Sequence, residues 1–216
     1  DNRNLKLVVL KFGGTSVADV PQIKKIALKV MKEVNQGYKV IVVVSAMSGV
    51  TNDLIDLVKN TSETPPYSEY DVVLSTGEQV TSALLATALN NLNIKARSWL
   101  GWQVPIISDK SHAKALIEEI KTENILDFFK KNQVAVISGF QGISNENRIT
   151  TLGRGGSDTS AVAIAAAFSA ERCDIYTDVD GVYTTDPRIV KNAKKLDLIT
   201  YEEMLELASQ GAKVLQ

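Results

Sequence analysis

Short apolar runs alternate along this chain with longer stretches in which apolar residues recur every third or fourth position. Leu5, Leu7, Val8, Val9 and Leu10 form a run that reads as a buried strand feeding a double glycine. Residues 40–44 are nearly all β-branched, as expected of a parallel strand covered on both faces. Residues 134–138 and 173–177 read as further strands, and 96–102 and 104–108 as strands or extended segments. Helical spacing predicts helices over 19–36, after Asn52, and over 71–91, 111–131, 157–170 and 201–214. In the third of these, Ser75, Thr76, Gly77 and Glu78 interrupt the start. Ser111 caps the fourth, with His112 exposed in its first turn. Residues 61–70, centred on Pro65 and Pro66, read as a mobile surface loop, and Asn145, Glu146 and Asn147 as a hairpin turn. Strands alternating with helices predict an α/β fold, with a mostly parallel sheet sandwiched between helices. No repeat or internal linker divides residues 1–216, so one domain is expected.

The polar turns at the strand ends change the picture from fold to chemistry. Gly153, Gly155 and Gly156 put three glycines within four residues, immediately before the helical pattern of Ala161, Val162, Ala165 and Phe168. Glycine is unfavourable inside regular elements, so the cluster has another use. A glycine-rich turn opening onto a helix N-terminus presents backbone N–H groups and a positive dipole end, which suits a phosphate. Arg154 adds a planar fork for a carboxylate or phosphate, and Ser157 or Asp158 is a suitable N-cap. Lys11 ends the first strand and Gly13 and Gly14 follow; ligands of open α/β sheets gather at such ends. The strand over 40–44 runs into Ser45, Ser48, Thr51 and Asn52, where Ser48 and Thr51 can cap the next helix. The strand over 173–177 runs into Asp178, Asp180 and Asp186. Glu78 falls among apolar neighbours, and spacing alone favours a solvated face for it.

Composition narrows the partners. In 216 residues, 24 basic and 25 acidic side chains nearly cancel, so no nucleic-acid or membrane-surface partner is indicated. Cys173 is the single cysteine, which excludes an internal disulfide and fits a reducing, cytoplasmic setting. No apolar run approaches the roughly 20 residues of a membrane span. With one histidine and one cysteine, no zinc-type metal site is expected. Neither glycine cluster is followed by Lys-Ser or Lys-Thr, so the P-loop spacing is absent, and the glycine intervals do not match a dinucleotide fingerprint. The residues alone lead to a phosphoryl-transfer enzyme that uses a nucleotide without a P-loop. A nucleotide-binding module without turnover and a dehydrogenase are the competing classes.

The stretch from Val9 through Lys11, Phe12, Gly13, Gly14, Thr15 and Ser16 to Val17 resembles the signature of the aspartokinases, within the amino acid kinase family. Residues 44–52, 75–78, 139–142, 151–161, 177–188 and 211–215 resemble further aspartokinase motifs in the family's order. The resemblance implies an amino acid kinase-like fold over 1–216 and transfer of the ATP γ-phosphate to the side-chain carboxylate of L-aspartate, giving 4-phospho-L-aspartate. It implies that Lys11 contacts the transferring phosphate, that Gly13 and Gly14 approach the phosphates through their amides, and that Asp158 orients Lys11 and the Mg²⁺ shell. Ser45, Thr51, Glu78 and Arg154 are implied to hold the amino acid, with Arg154 on a carboxylate and Glu78 on the ammonium. Thr177, Asp178, Tyr183 and Arg188 are implied to face the nucleotide, and Lys213 to reach its phosphates. The nearest alternative is another family member with a different carboxylate or carbamate acceptor.

This chemistry suits a site without histidine. An aspartate side chain, with an ordinary pKa of about 3.9, is already ionised at neutral pH and needs no general base. The obstacle is repulsion between a carboxylate and an anionic phosphate, which pre-placed positive charge and dipoles relieve. Aspartokinases continue into C-terminal regulatory domains and form homo-oligomers, whereas this chain stops at Gln216 within a helical pattern; it is expected to be the catalytic part of a longer polypeptide.

Overall fold

The computed structural model describes residues 5–153, 156–176, 182–188 and 213–215. Five strands build a parallel sheet in the order β9 (Arg172–Tyr176), β1 (Leu7–Phe12), β2 (Lys39–Val44), β6 (Val134–Ser138), β3 (Ala96–Trp99). Two antiparallel strands, β10 (Val182–Thr185) and β11 (Lys213–Leu215), extend it beyond β9. The central register pairs Val9 with Ile41 and Cys173, and Val42 with Val136.

Side-chain alternation divides the central strands between two cores. On one face, Val8, Leu10, Val40, Val42 and Val134 pack with Ile23, Ile26 and Val30 of α1 (Val20–Asn35) and Leu85 and Leu89 of α3 (Tyr67–Asn91). On the other, Val9, Ile41, Val43 and Ile137 pack with Ile164 and Phe168, at and beyond α5 (Gly156–Ala167). Fully burying an aliphatic side chain contributes roughly 1.5–3 kcal/mol, so these two layers dominate the stability. Asp19 caps α1 by accepting the Gln22 N–H at 3.0 Å, and Pro21 in the first turn presets the backbone. The expected sandwich of a mostly parallel sheet between helices is therefore the observed one.

A second, four-stranded sheet was not legible. Its order is β5 (Ile117–Ile120), β4 (Ile106–Ser108), β7 (Gln141–Ile143), β8 (Ile149–Thr151), covering the α5 face together with α4 (Glu123–Phe128). The helix expected over 111–131 is thus wrong: a strand and a short helix stand there. Ile117, Ile120 and Ile125 are spaced as on a helix, but β4 offers an antiparallel edge that pairs Ile106 with Ile120. The hairpin turn at 145–147 does join β7 to β8.

The loop expected over 61–70 shrinks to 62–66, because α2 (Val50–Thr61) and α3 extend into it. Residues 75–78 do not interrupt α3, which is also long and apolar enough to cross a membrane by length and composition; half of that stretch is buried against the rest of the fold. Most of the helix expected over 201–214 lies outside the described residues, and its last two positions belong to strand β11.

Candidate active site

The carboxyl ends of β1, β2 and β6 converge beneath the N-terminus of α5. After β1, Gly13 is extended and Gly14 turns left-handed at φ 55°, opening a 3-10 turn over Gly14–Val17. The next strand ends are stitched together: Ser45 N donates to the Phe12 carbonyl at 3.1 Å and Gly139 N to the Val44 carbonyl at 3.0 Å. A Cβ on Gly139 would sit 2.9 Å from Ser157 Oγ, so its absence lets α5 rest on the strand ends.

Lys11 enters this junction from β1 with its stem buried and 12% of its side chain exposed. Its Nζ lies 2.8 Å from Asp158 Oδ1, an ion pair by distance in which that oxygen accepts no well-aligned hydrogen bond among the described residues. Asp158 stands in the first turn of α5, where the helix dipole favours a negative group. The helix begins at Gly156, so Ser157 and Asp158 lie within its first turn rather than capping it. That shift sends Ser157 sideways, where Ser45 Oγ donates to its Oγ at 3.0 Å. Gly13 completes the cradle. A Cβ there would lie 2.7 Å from both Lys11 Nζ and Ser45 Oγ, which places those two groups around one small space.

Glu78 projects from α3 into the same region and is 2% exposed. The solvated face that spacing favoured is therefore wrong. Its Oε1 accepts the Ala46 N–H at 3.1 Å, and its Oε2 is buried and meets no hydrogen-bond partner among the described residues. Burial pushes its pKa up to about 7, although two backbone N–H groups partly oppose the shift. Burying a carboxylate with one oxygen unsatisfied is costly unless it is neutralised or paired. Thr51 is half-buried in the first turn of α2, after the left-handed Gly49 at φ 81°.

The other expected site residues are placed unevenly. Lys11, Gly13, Gly14, Ser45, Glu78 and Asp158 are gathered at the strand ends. Tyr183 is exposed on β10, opposite Ile175 of β9, and the backbone of Lys213 pairs with Thr184. Arg188 is exposed and its guanidinium grips Asp186, with Nη2 2.7 Å from Oδ2. Arg154, Thr177 and Asp178 lie outside the described residues. Sequence reasoning missed Asp71, wholly buried on α3 two turns before Glu78. It also misread His112, whose Nδ1 lies 2.7 Å from Asp71 Oδ2. Among the described residues, no three His, Cys, Asp or Glu side chains cluster as metal ligands.

The model of the amino acid kinase family matches residues 6–216. The chain belongs to that family. It is 55% identical over 214 residues to an aspartokinase of Rickettsia felis, a match covering 98% of this chain and 53% of that protein. The crystal structure of aspartate kinase from Synechocystis is similar with a TM-score of 0.69 at 46% identity, over 85% of this chain and 30% of that one. Aspartokinase III of E. coli, crystallised with aspartate and ADP, is similar with a TM-score of 0.71 at 28% identity, over 85% of this chain and 52% of that one. The chain spans about half the length of the curated relatives it matches.

Proposed function

We propose that this chain carries the catalytic site of an aspartate kinase, which moves the ATP γ-phosphate onto the β-carboxylate of L-aspartate to give 4-phospho-L-aspartate. In that role it performs the first step of the pathway to lysine, threonine and methionine. The observation that carries this reading is the pairing of two features at adjoining strand ends: the Lys11–Asp158 ion pair beneath a helix N-terminus, and the buried Glu78 carboxylate, one of whose oxygens meets no partner among the described residues. The first suits a transferring phosphate; the second suits the ammonium of a free amino acid and disfavours acceptors whose amine is blocked. The likeness to aspartokinases, one of them crystallised with aspartate and ADP, supports the same reading.

The substrate carboxylate arrives ionised, so no residue has to remove a proton. Lys11, the α5 N-terminus and the amides of Gly13 and Gly14 supply the positive field that lets two anions approach in line. Ser45 and Thr51 orient the amino acid together with Glu78, and Arg154 holds its α-carboxylate. Thr177, Asp178, Tyr183, Arg188 and Lys213 face the nucleotide. Asp158, with 41% of its side chain exposed, is the acidic group that fits Mg²⁺, a cation commonly held by one or two carboxylates plus substrate phosphates. When bound, Mg²⁺ neutralises phosphate charge. In this reading the full-length protein is a homo-oligomer.

The test is nucleotide consumption by the purified protein, screened across aspartate, glutamate, N-acetylglutamate and uridine monophosphate. ADP formation that depends on aspartate alone is the expected result. Turnover with a blocked amine or a nucleoside monophosphate overturns the reading.

A further inference from the structure

The α3 helix buries a polar stripe. Asp71, Ser75, Glu78 and Ser82 recur at helical spacing, and each engages a different strand-end segment. Ser82 Oγ and Ser138 Oγ, at the end of β6, are 3.0 Å apart. The Glu78 carboxylate takes the Ala46 N–H after β2, and the Ser75 carbonyl takes Gln141 Nε2 at the start of β7 at 3.0 Å. Asp71 reaches the segment that leads into the central glycine turn.

Its carboxylate is the most heavily engaged polar group on the helix. Oδ1 accepts Thr151 Oγ1 at 2.6 Å and the Ala113 N–H at 3.1 Å. Oδ2 lies 2.7 Å from His112 Nδ1 and 3.2 Å from the same Ala113 nitrogen. Ala113 holds φ 66°, a left-handed conformation costly to an alanine, and directs its N–H at both oxygens. Apolar residues of similar shape often stabilise a core as well as a buried charge does. The Asp71 carboxylate is therefore weak evidence of added stability, and what its contacts define is which segments it joins.

The contacts continue without a break from Asp71 to the reacting groups. Ala115 N donates to the Thr151 carbonyl at 3.0 Å, and Gly153 N to the Ala115 carbonyl at 3.2 Å. Leu152 N donates to the Phe140 carbonyl at 2.8 Å, and Gly156 N to the Gly153 carbonyl at 3.2 Å. Phe140 N in turn donates to Ser160 Oγ at 3.1 Å, which ties the same loop to the first turns of α5. The strand that Asp71 holds at Thr151 is thus the strand from which α5 is hung, and Asp158 lies on the first turn of α5.

We propose that Asp71, held by Thr151, His112 and Ala113, is a positioning residue that fixes where α5 begins and so sets Asp158 against Lys11. It touches no substrate. Because Asp71 and Glu78 share one face of one helix, α3 registers the amino-acid pocket and the phosphate end of the site against a single rigid element. This role rests on the kinase reading for the task it gives Asp158, but its geometric part stands apart from it.

The test compares Thr151→Val, which keeps the side-chain shape and removes the hydroxyl, with Thr151→Ser, which keeps the hydroxyl. Each is made in the full-length protein and followed by thermal melting, by steady-state kinetics and by amide hydrogen exchange over residues 152–160. Thr151→Val is expected to lower kcat about tenfold or more, since small displacements of reacting groups are costly, while ATP KM changes by less than about twofold. Exchange over 152–160 is expected to quicken in Thr151→Val, whereas Thr151→Ser matches the parent in both readouts. Parent-like kcat in Thr151→Val, equal damage in both variants, or a loss of activity only in step with melting overturns the proposal. Should Thr151→Val fail to fold, His112→Gln, at a side chain 15% exposed, carries the same test with the same readings. If the parent shows no aspartate-dependent turnover, the kinase reading fails, and exchange still decides the anchor: unchanged rates in Thr151→Val overturn it.

Discussion

The backbone N–H of Ala46 donates to Glu78 Oε1 at 3.1 Å, while the second oxygen of Glu78 is buried and meets no donor among the described residues. The fold thus satisfies one oxygen of this carboxylate and, among the described residues, leaves the other without a hydrogen bond. The desolvation that raises its pKa to about 7 has a definite sign for stability. Between the ordinary glutamate value of 4.5 and about 7, the folded state keeps a proton that the unfolded state has lost, so stability falls as pH rises through that window. The full penalty, on the order of 3 kcal/mol, applies above about pH 7. Glu78→Gln is therefore expected to be more stable than the parent near about pH 8 and equal to it near about pH 4. Urea denaturation at the two pH values checks this; a constant gap between the proteins contradicts it.

The same carboxylate predicts the pH dependence of aspartate binding. An ammonium prefers the ionised form of Glu78, so KM for aspartate is expected to fall between about pH 6 and about pH 8. In Glu78→Gln the KM is expected to be higher and flat over that range, with ATP KM little changed. A falling KM that survives in the glutamine variant assigns the titration to another group.

Lys11→Met is expected to abolish turnover and spare the fold. Its stem is buried at the end of β1 and only the ammonium meets Asp158. Methionine keeps the stem and removes the charge. Loss of such a transition-state contact costs about 3–4 kcal/mol, a hundredfold or more in rate. Stopped turnover with an unchanged melting temperature is the expected pair of results, and near-parent turnover removes Lys11 from the mechanism.

Gly13→Ala separates position from charge at the same ammonium. Gly13 sits at φ −157°, which any residue adopts, so no backbone strain arises. The new methyl would meet the tips of Lys11 and Ser45 at 2.7 Å, and both can swing away. Stability should therefore change by less than about 1 kcal/mol, as for substitutions without core damage. The displaced ammonium should lower kcat about tenfold or more. A large loss of stability with normal kcat points instead to a rigid neighbour.

The central sheet was readable because its strands are buried on both faces and so appear as unbroken apolar runs, as in Val40 through Val44. The polar turns after them stood out against those runs. The second sheet was hidden because strands as short as Ile106–Ser108 carry too little pattern, and because Ile117, Ile120 and Ile125 mimic a helix. The α3 helix misled by inversion. It buries Asp71, Ser75, Glu78 and Ser82 while Val72 and Val80 face outward, so a rule that turns polar residues to water selects the wrong face. Exposed valines opposite a polar stripe were the one available clue. The partners of Asp71 left none, since Ala113 and Thr151 are remote in sequence.

Gly77 explains how the inverted helix comes so close, and it supplies a prediction about packing. A Cβ at Gly77 would lie 2.8 Å from Ala46 Cβ, with Val50 Cγ1 and Leu54 Cδ1 each at 3.5 Å. Unlike the tips around Gly13, the Ala46 methyl cannot swing away. Alanine inside a helix gains up to about 1 kcal/mol over glycine. Overpacking a closed contact costs about 1–3 kcal/mol, so Gly77→Ala should be net destabilising. It should also raise KM for aspartate, because pushing α3 outward draws Glu78 away from the Ala46 N–H. Ala46→Gly removes the opposing methyl, so the double variant should recover stability and KM together, with a coupling energy on the order of 1 kcal/mol. A denaturation and kinetic cycle over the four proteins measures both. Additive losses would mean that the approach of Gly77 to Ala46 is not what holds Glu78 in place.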